Sequence, residues 1–242
     1  MLDLRGRRVV ISGASSGIGL ETARMLVSKG AEVCLTARRA DPIAAAAEDI
    51  GGGSWAWPCD VADPPSVSAL ATEVRSRWGS VDGLVNNAGV APMARLDETS
   101  IEVWDEAFAI NVRGPFILCR EFGSMLHETS SPAVVNVSST LAERAIQGMA
   151  AYNASKAALN QLTRSLALEW APKVRVNAVM PAVVDTPIHA TRGMSSEQVE
   201  AMGEMHPMKR IGQPEDVAAM IVFLLSNASS WMTGTVIPVD GG

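Results

Sequence analysis

Residues 8–19 read Arg-Val-Val-Ile-Ser-Gly-Ala-Ser-Ser-Gly-Ile-Gly. The β-branched run over Arg8–Ser12 predicts a short strand, and a helical pattern begins near Gly17 and stops at Gly30. A loop between a strand and a helix places backbone N–H groups and the positive end of the helix dipole where a pyrophosphate can bind. Residues 13–19 are therefore a candidate phosphate-binding loop.

Three glycines of this loop have different expected tasks. Gly13 permits the tight turn, Gly17 lets a ligand approach the backbone, and Gly19 allows the helix to pack closely on the strand. The spacing is Gly-x-x-x-Gly-x-Gly rather than the better-known Gly-x-Gly-x-x-Gly, and a glycine-rich turn without a ligand is the alternative on this stretch alone. The other candidate cofactor residues of the loop are Ser15, Ser16 and Ile18.

Beyond the loop, predicted strands and helices alternate along the chain. The strands cover 8–12, 32–36, 55–59, 83–86, 133–137, 175–179 and 235–238, and the helices cover 17–30, 44–49, 66–78, 101–125, 152–170 and 214–225. Such alternation is typical of a parallel sheet covered on both faces. We therefore predict one α/β domain over residues 1–242, a Rossmann-type doubly wound parallel sheet of about seven strands.

The composition fits one compact domain. Of the 242 residues, 48% are hydrophobic and 19% are charged, which argues against disorder. The net charge of -6 gives no reason to expect nucleic acid or acidic membranes as partners. No apolar run approaches the roughly 20 residues that span a bilayer, and a strand follows residues 1–5 directly. We expect a soluble cytoplasmic protein without a secretory signal.

Cysteines and histidines predict no metal site. Neither residue type has the spacing of metal ligands, and the cysteines are expected to be buried small hydrophobes. The residues concerned are Cys34, Cys59, Cys119, His127, His189 and His206.

A candidate acid/base pair begins the helix predicted over 152–170. Tyr152 and Lys156 are four residues apart and share one helix face. The unperturbed pKa of a phenol is about 10, and a nearby ammonium favours the phenolate. The pair can therefore transfer protons near neutral pH. Taken alone this spacing also arises often by chance.

The end of the second strand carries a basic pair where a dinucleotide-binding fold usually presents an acidic residue to the ribose. Arg38, followed by Arg39, can form a fork with a 2′-phosphate, which favours NADP(H) over NAD(H). Two alternatives stay open at this point. Arg38 can be a solvated surface arginine, and Asp41 can still reach a ribose.

Further motifs follow at the ends of the predicted elements: Cys59-Asp60-Val61, Asn86-Asn87-Ala88-Gly89, Asn111, Ser138-Ser139, Pro181 to Thr186 and Val239-Asp240-Gly241-Gly242. Together with the glycine loop, Tyr152 and Lys156, they occur in an order that resembles the classical short-chain dehydrogenases/reductases. The resemblance extends over essentially the whole chain. Each motif is unspecific singly, but the joint match is very specific.

The resemblance implies a role for each matching position. Ser139, 13 positions before Tyr152, would polarise the substrate oxygen, Asn111 would distort its helix and hold a water, and Lys156 would also bind the nicotinamide ribose. The remaining cofactor positions would be Asp60, Val61, Asn87, Ala88, Gly89, Pro181, Val184 and Thr186. A homotetramer or homodimer with helices 101–125 and 152–170 at its interfaces is also implied.

Two positions depart from the family pattern. Ser12 stands where the family usually has threonine, a change that keeps the hydroxyl. Ala182 replaces the glycine that usually follows Pro181, which is expected to stiffen the turn or narrow the cleft near the nicotinamide.

The chemistry of these residues agrees with the resemblance. Hydride transfer to a carbonyl carbon develops negative charge on oxygen, which requires a hydrogen-bond donor and then a proton. Ser139 can donate the hydrogen bond and Tyr152 the proton. We therefore expect an NAD(P)(H)-dependent oxidoreductase that acts on a ketone or secondary alcohol, with NADP(H) preferred, NAD(H) possible and no metal.

Two rival functions remain. A 3-oxoacyl-thioester reductase of lipid synthesis predicts a basic patch for an acidic carrier protein, for which Lys209-Arg210 is the candidate. An NAD(P)-binding regulator without turnover is the non-enzyme alternative, and the intact set of Ser139, Tyr152 and Lys156 argues against it.

The segment around 186–209 is predicted to be a substrate lid. Methionines are expected at its mouth, and because methionine adapts to varied apolar shapes we hypothesise a hydrophobic or loosely specified carbonyl substrate. Alternatively these side chains only pack the lid on the body. The methionines are Met149, Met180, Met194, Met202, Met205 and Met208.

Overall fold

A computed structural model describes residues 3–190 and 193–242. The domain predicted over 1–242 also included Met1, Leu2, Thr191 and Arg192, which lie outside the described residues. Parallel strands form one seven-stranded sheet: β1 (Arg8–Ser12), β2 (Glu32–Ala37), β3 (Ser54–Pro58), β4 (Gly83–Asn86), β5 (Ala133–Val137), β6 (Arg175–Pro181) and β7 (Val236–Val239).

The helices lie on both faces of this sheet, as predicted. In the described part of the chain they are α1 (Gly17–Ser28), α2 (Ala40–Ile50), α3 (Pro64–Trp78), α4 (Ile101–Phe108), α5 (Gly114–His127), α6 (Ala150–Trp170), α7 (Ser196–Ala201) and α8 (Pro214–Leu225). Within those described ranges, no helix has the length and apolarity needed to cross a membrane.

The strand order is β3-β2-β1-β4-β5-β6-β7. The chain therefore adds strands outward in one direction from β1 and then crosses back to β4 on its other side. In open α/β sheets, a crevice forms at the carboxyl ends of the strands where the order reverses. This topology confirms the predicted fold class and places the candidate site beyond the ends of β1 and β4.

Two hydrophobic cores fill the two sides of the sheet. Alternate residues of a strand point to opposite faces, so Val10 of β1 joins one core, whereas Val9 and Ile11 join the other. The first core contains buried residues of α3, α5 and α6, and the second contains those of α1 and α8. The three cysteines are free and buried, as expected.

The helix predicted over 101–125 is interrupted. A π-helical turn, Ala109–Arg113, separates α4 from α5 and contains Asn111. Pro115 explains part of the interruption, because proline has no N–H and its ring clashes with the carbonyl four residues earlier. That carbonyl belongs to Asn111. The α-helical hydrogen bond to it is therefore impossible, and the helix adopts a wider turn.

Two further differences from the prediction exceed two residues. α2 begins at Ala40 instead of residue 44, and the segment around 186–209, for which no helix was predicted, contains α7 and a 3₁₀ turn, Met202–Met205. α7 begins with a capping box, in which the Ser195 hydroxyl accepts from the Gln198 N–H and the Gln198 side chain accepts from the Ser195 N–H.

Candidate active site

A cleft of about 1100 Å³ opens at the carboxyl edge of the sheet. It is bordered by the glycine loop after β1, by the ends of β2 to β6, and by the first turns of α6. Sequence-predicted residues from seven separate parts of the chain meet here. Those that line it are Gly13, Ser15, Ser16, Gly17, Ile18, Arg38, Asp60, Val61, Asn87, Ala88, Gly89, Ser139, Tyr152, Lys156, Pro181, Val184 and Thr186.

The glycine loop packs against the turn that follows β4. Gly13 has φ +66°, and a Cβ on it would lie 2.7 Å from the Ala88 Cα, so a side chain is excluded by conformation and by space. A Cβ on Gly19 would lie 2.5 Å from the Asn87 Nδ2. Gly19 does not line the cleft. Its place is behind the loop, where it allows the close packing predicted for it.

Ser12 holds the same two segments together. Its hydroxyl accepts from the Asn87 N–H at 3.0 Å and the Ala88 N–H at 3.1 Å, and donates to the Val85 carbonyl at 3.3 Å. Asn87 Nδ2 donates back to the Ser12 and Gly13 carbonyls at 3.0 and 2.9 Å. The departure from threonine therefore retains the hydroxyl that organises the cleft floor.

Arg38 and Arg39 both line the cleft, and both are exposed. Within residues 3–190 and 193–242, neither guanidinium has a hydrogen-bond or ion-pair partner. Asp41 belongs to the first turn of α2 and is not a lining residue. Asp60 lies across from them in the loop after β3 and accepts from the Ala62 N–H at 2.9 Å. The guanidinium groups of Arg38 and Arg39 at this end of the cleft are therefore available to bind an anionic ligand.

Lys156 lies at the centre of the cleft and is buried, with 4% of its surface exposed. Its Nζ donates to the Val137 carbonyl at 2.8 Å and lies 5.8 Å from the centroid of the Tyr152 ring. Burial lowers the pKa of Lys156 to about 8, because the charged form loses its hydration. The prediction that Tyr152 and Lys156 share a helix face is confirmed.

The two adjacent serines have different environments. The Ser139 hydroxyl accepts from the Leu141 N–H at 3.1 Å, which begins the 3₁₀ turn Thr140–Ala142 and leaves the hydroxyl proton to donate into the cleft. The Ser138 hydroxyl donates to the Lys156 carbonyl at 3.3 Å. Ser139 is therefore the serine placed to bind a substrate oxygen.

Asn111 is fully buried behind the cleft wall. Its Nδ2 donates to the Val90 carbonyl and the Ser155 hydroxyl, both at 2.9 Å, and its Oδ1 accepts from the Val90 N–H at 3.0 Å. Ser155 in turn donates to the Tyr152 carbonyl at 2.8 Å. The asparagine side chain thus connects the segment after β4 to the first turn of α6. The distortion predicted at Asn111 is present as the π-helical turn.

The segment after β6 closes one side of the cleft. Thr186 donates to the Val184 carbonyl at 3.3 Å, and a Cβ on Gly17 would lie 2.9 Å from the Thr186 Cγ2. Val184 is buried and forms a parallel bridge with Gly212. Ala182, the departure from the usual glycine, also lines the cleft. Thr186, one of the predicted cofactor residues, therefore lies against the glycine loop.

The opposite end of the cleft is apolar. Ala91, Met149 and Tyr152 form a buried cluster with Leu141 and Ile188 packed against it. We call this cluster the apolar chamber. Ile146, Met202 and Met205 line the cleft outside it.

The methionine prediction was only partly right. Met202 and Met205 line the cleft, but Met149 and Met180 are buried and do not line it, and Met194 lines a separate smaller cavity. Met208 is exposed and does not line the cleft. Side-chain direction, which the sequence pattern does not give for an irregular segment, decides these differences.

The predicted basic patch at Lys209-Arg210 is neutralised by local carboxylates. Lys209 Nζ lies 3.7 Å from a Glu204 carboxylate oxygen, and Arg210 donates to both carboxylate oxygens of Asp216. The pairing lowers the pKa of Asp216 and raises that of Arg210. Both cations are therefore already occupied.

Sequence reasoning missed several lining residues: Arg39, Glu106, Arg144, His189 and His206. Arg144 lies in the stretch 141–149, between the predicted site residues Ser139 and Tyr152. Its place in the sequence could therefore have identified it as a residue of the cleft. His189 is buried and its Nε2 lies 2.9 Å from the Val184 carbonyl. Among the described residues, no three histidine, cysteine or acidic side chains are grouped to hold a metal ion.

Comparison with known proteins places this geometry in a family. Residues 13–242 match the family model described as Enoyl-(Acyl carrier protein) reductase. The chain is 36% identical over 243 residues to D-threitol dehydrogenase of Mycolicibacterium smegmatis, with 99% of this chain and 93% of that protein covered. It is 38% identical over 240 residues to cis-4-hydroxycyclohexanecarboxylate dehydrogenase of Sinomonas cyclohexanicum, with coverages of 98% and 96%.

A solved structure agrees over the same length. A candidate NAD(P)-dependent gluconate 5-dehydrogenase from Beutenbergia cavernae, with NADP bound at low occupancy, matches with a TM-score of 0.92 at 36% identity, covering 99% of this chain and 97% of that one. The chain belongs to the short-chain dehydrogenase/reductase family. This short-chain dehydrogenase/reductase is an NAD(P)-dependent oxidoreductase that interconverts a secondary alcohol and a ketone.

Proposed function

We propose that this short-chain dehydrogenase/reductase prefers NADP(H) over NAD(H). The observation that carries the preference is the pair Arg38 and Arg39, which line the cleft without a partner while Asp41 does not. A planar guanidinium matches a phosphate with two parallel hydrogen bonds. A ribose 2′-hydroxyl would leave both cations unpaired, so a 2′-phosphate fits this end better.

The rest of the cleft fits a dinucleotide. The glycine loop excludes side chains at Gly13, and α1 begins at Gly17 with its first N–H groups directed toward the loop. Asp60 and Val61 line the cleft and would contact the adenine, and Asn87 to Gly89 line it and would border the adenine-ribose side. At the other end, Pro181, Val184 and Thr186 would hold the carboxamide. The bound nicotinamide supplies or accepts the hydride.

The chain's own residues would handle the substrate oxygen and its proton. Ser139 would donate a hydrogen bond to the oxygen that becomes negative, and Tyr152 would donate the proton. Lys156 would hold a nearby positive charge that favours the phenolate after the proton has left. Asn111 would support a water with its main-chain carbonyl, which Pro115 deprives of its helical partner. In alcohol oxidation these proton steps run in reverse.

The test is a pair of binding titrations with NADPH and NADH, on the unmodified protein and on Arg38→Ala and Arg39→Ala. Losing a charge-assisted hydrogen bond costs about 1.5–3 kcal/mol, so NADPH affinity is expected to fall about tenfold to a hundredfold while NADH affinity changes little. Arg164→Ala is the matched control, since Arg164 is exposed and does not line the cleft. Tighter NADH binding that neither cleft substitution alters would reverse the assignment.

Both rival functions have lost support. The basic patch of the thioester reductase reading is paired internally at Lys209 and Arg210. The regulator reading leaves the joint placement of Ser139, Tyr152 and Lys156 without a purpose. Turnover of any neutral ketone with NADPH would exclude it.

Assembly and lid closure complete the proposal. Large apolar side chains are exposed on the helices predicted to form interfaces, namely Ile101, Trp104, Phe116 and Leu168. We expect these surfaces to be covered in a homotetramer or homodimer. Met202 and Met205 lie in the segment 186–209, which would close over a bound substrate. The cytoplasmic location stays a prediction from sequence.

A further inference from the structure

We propose that Arg144 is the anion-binding residue of the substrate site, and that the substrate carries a carboxylate on an otherwise apolar body. The inference rests on the proposed function, because it assigns the substrate to the apolar chamber beside Tyr152. It names a class, hydroxy acids and keto acids whose acid group is remote from the reacting carbon.

The first argument is the state of the arginines. In the described ranges, only Arg38, Arg39, Arg144 and Arg164 have a guanidinium without a hydrogen-bond acceptor or an ion pair. The other described arginines have partners: Arg5, Arg7, Arg8, Arg24, Arg75, Arg77, Arg95, Arg113, Arg120, Arg175 and Arg210. Three of the four free guanidinium groups line one cleft.

The second argument is which ligand group each cleft cation can take. Arg38 and Arg39 follow β2 and face the ribose end of the dinucleotide site, and Lys156 is buried beside Tyr152. Arg144 belongs to the segment that connects Ser139 to Tyr152. None of the residues assigned to the cofactor lies in the segment 140–151. A negative group on the substrate is the remaining partner.

The third argument is the surroundings of Arg144. Its backbone N–H donates to the Thr140 carbonyl at 3.0 Å, which fixes its Cα just beyond the 3₁₀ turn that begins at Ser139. Ile146, two residues on, lines the same wall, and Leu141 packs on the apolar chamber. A substrate body held in the chamber would therefore have both Tyr152 and the exposed Arg144 among the residues of its cleft.

The carboxylates that line the cleft do not pair with the Arg144 guanidinium. Those that line it are Asp60, Glu106 and Asp240, and none of them is paired with Arg144. Glu143 is adjacent in sequence but does not line the cleft. Of the charged side chains that line the cleft, Arg38, Arg39, Arg144 and Lys156 are cationic and three are acidic.

The test uses ligand pairs of equal shape and different charge. Hexanoate and hexanamide are titrated into the protein saturated with NADP⁺, using Arg144→Met, Arg144→Lys and the control Arg164→Met. Unmodified protein is expected to bind hexanoate more tightly than hexanamide. Arg144→Met should lower that affinity ratio about tenfold, Arg144→Lys should restore part of it, and Arg164→Met should leave it unchanged.

Binding separates this proposal from the proposed function, since it needs no turnover. An affinity ratio that Arg144→Met does not change overturns the inference, whether or not ketones are reduced. A fall in the ratio supports it even if cofactor preference proves to be for NADH. If Arg144→Met lowers turnover only of a 3-oxoacyl thioester on an acidic carrier protein, the arginine serves a protein partner and the inference is also overturned.

The preference for a carboxylate over a neutral analogue can also be measured in catalysis. With NADPH as reductant, kcat/KM for 5-oxohexanoate relative to its methyl ester should fall about tenfold in Arg144→Met and recover partly in Arg144→Lys. A ratio that is equal in all variants contradicts the proposal.

Discussion

Burial of Lys156 makes the residue costly to the fold at neutral pH. Its pKa is lowered from 10.5 to about 8 because the ammonium loses water in the cleft wall. Between these two values the unfolded chain binds a proton that the folded chain does not. The free energy of unfolding therefore rises with pH across this window and is lowest below pH 8.

Lys156→Met should accordingly stabilise the protein at pH 7 by on the order of 3 kcal/mol while abolishing activity. At pH 10 the gain should shrink to about 1 kcal/mol, since at a pH close to 10.5 the lysine loses its proton on folding at little cost. Urea unfolding at both pH values measures the difference. Lys173→Met, at an exposed lysine, should show no such pH-dependent gain.

Tyr152 carries the proton in the proposed chemistry. Tyr152→Phe keeps the ring that packs in the apolar chamber and removes only the hydroxyl, so it should lower kcat about a thousandfold with NADPH affinity preserved. Steady-state rates and a fluorescence titration measure the two effects. Activity within tenfold of the unmodified protein would remove Tyr152 from its role.

At the level of single residues, the motifs in the sequence predicted which residues of the glycine loop and of the proposed catalytic group line the cleft. Gly13, Ser139, Tyr152 and Lys156 all lie where the motif order placed them. The ion pairs of Lys209 and Arg210 were not foreseeable, because their partners Glu204 and Asp216 depend on the path of an irregular segment. Charge runs identify cations, and only packing shows which remain free.

Among the elements, the junction of α4 and α5 carries the most specific packing. One asparagine side chain satisfies both backbone groups of Val90 and reaches the first turn of α6 through Ser155. Sequence reasoning predicted one helix over 101–125 with a distortion at Asn111. Pro115 would have located the break, because its ring excludes the α-helical bond to that residue.

Asn111→Leu should destabilise the protein by about 2–4 kcal/mol, since it leaves the Val90 N–H and carbonyl without their partner. It should also reduce kcat, because the first turn of α6 loses its link to the segment after β4. Urea denaturation and steady-state kinetics test both effects. Asn111→Asp keeps an acceptor for the Val90 N–H and loses the donor. Its stability should lie between that of the unmodified protein and that of Asn111→Leu. A Leu variant as stable as the unmodified protein would contradict this account.

For the whole molecule, the exposed apolar side chains on α5 and α6 are the surfaces that the proposed assembly would cover. Phe116 is 45% exposed and Leu168 83%. Phe116→Glu and Leu168→Glu should each place charge in an interface and yield a smaller assembly, measured by light scattering coupled to gel filtration. The control is Trp231→Glu, at a residue that is 99% exposed outside these helices. An unchanged mass for both helix variants would place the interface elsewhere.

Fold class and strand content were predictable for the whole chain because hydrophobic runs, glycine turns and helical periodicity agree at each step. The secondary structure of the segment predicted to be a lid was not, since α7 and the 3₁₀ turn after it are short and carry weak periodicity. Their one sequence signal was the capping box at Ser195 and Gln198.

The strand order also has a consequence for biosynthesis. β1 pairs with β2 early, but its other edge waits for β4, whose first residue, Gly83, pairs with Val9. A ribosome must therefore add more than 70 further residues after β1 before that edge is covered. Until then Val9, Val10 and Ile11 present an apolar strand with free N–H and carbonyl groups, the kind of edge that recruits other chains. We expect nascent chains halted before Gly83 to bind chaperones and to aggregate when released, and chains halted well beyond Asn86 to do so less.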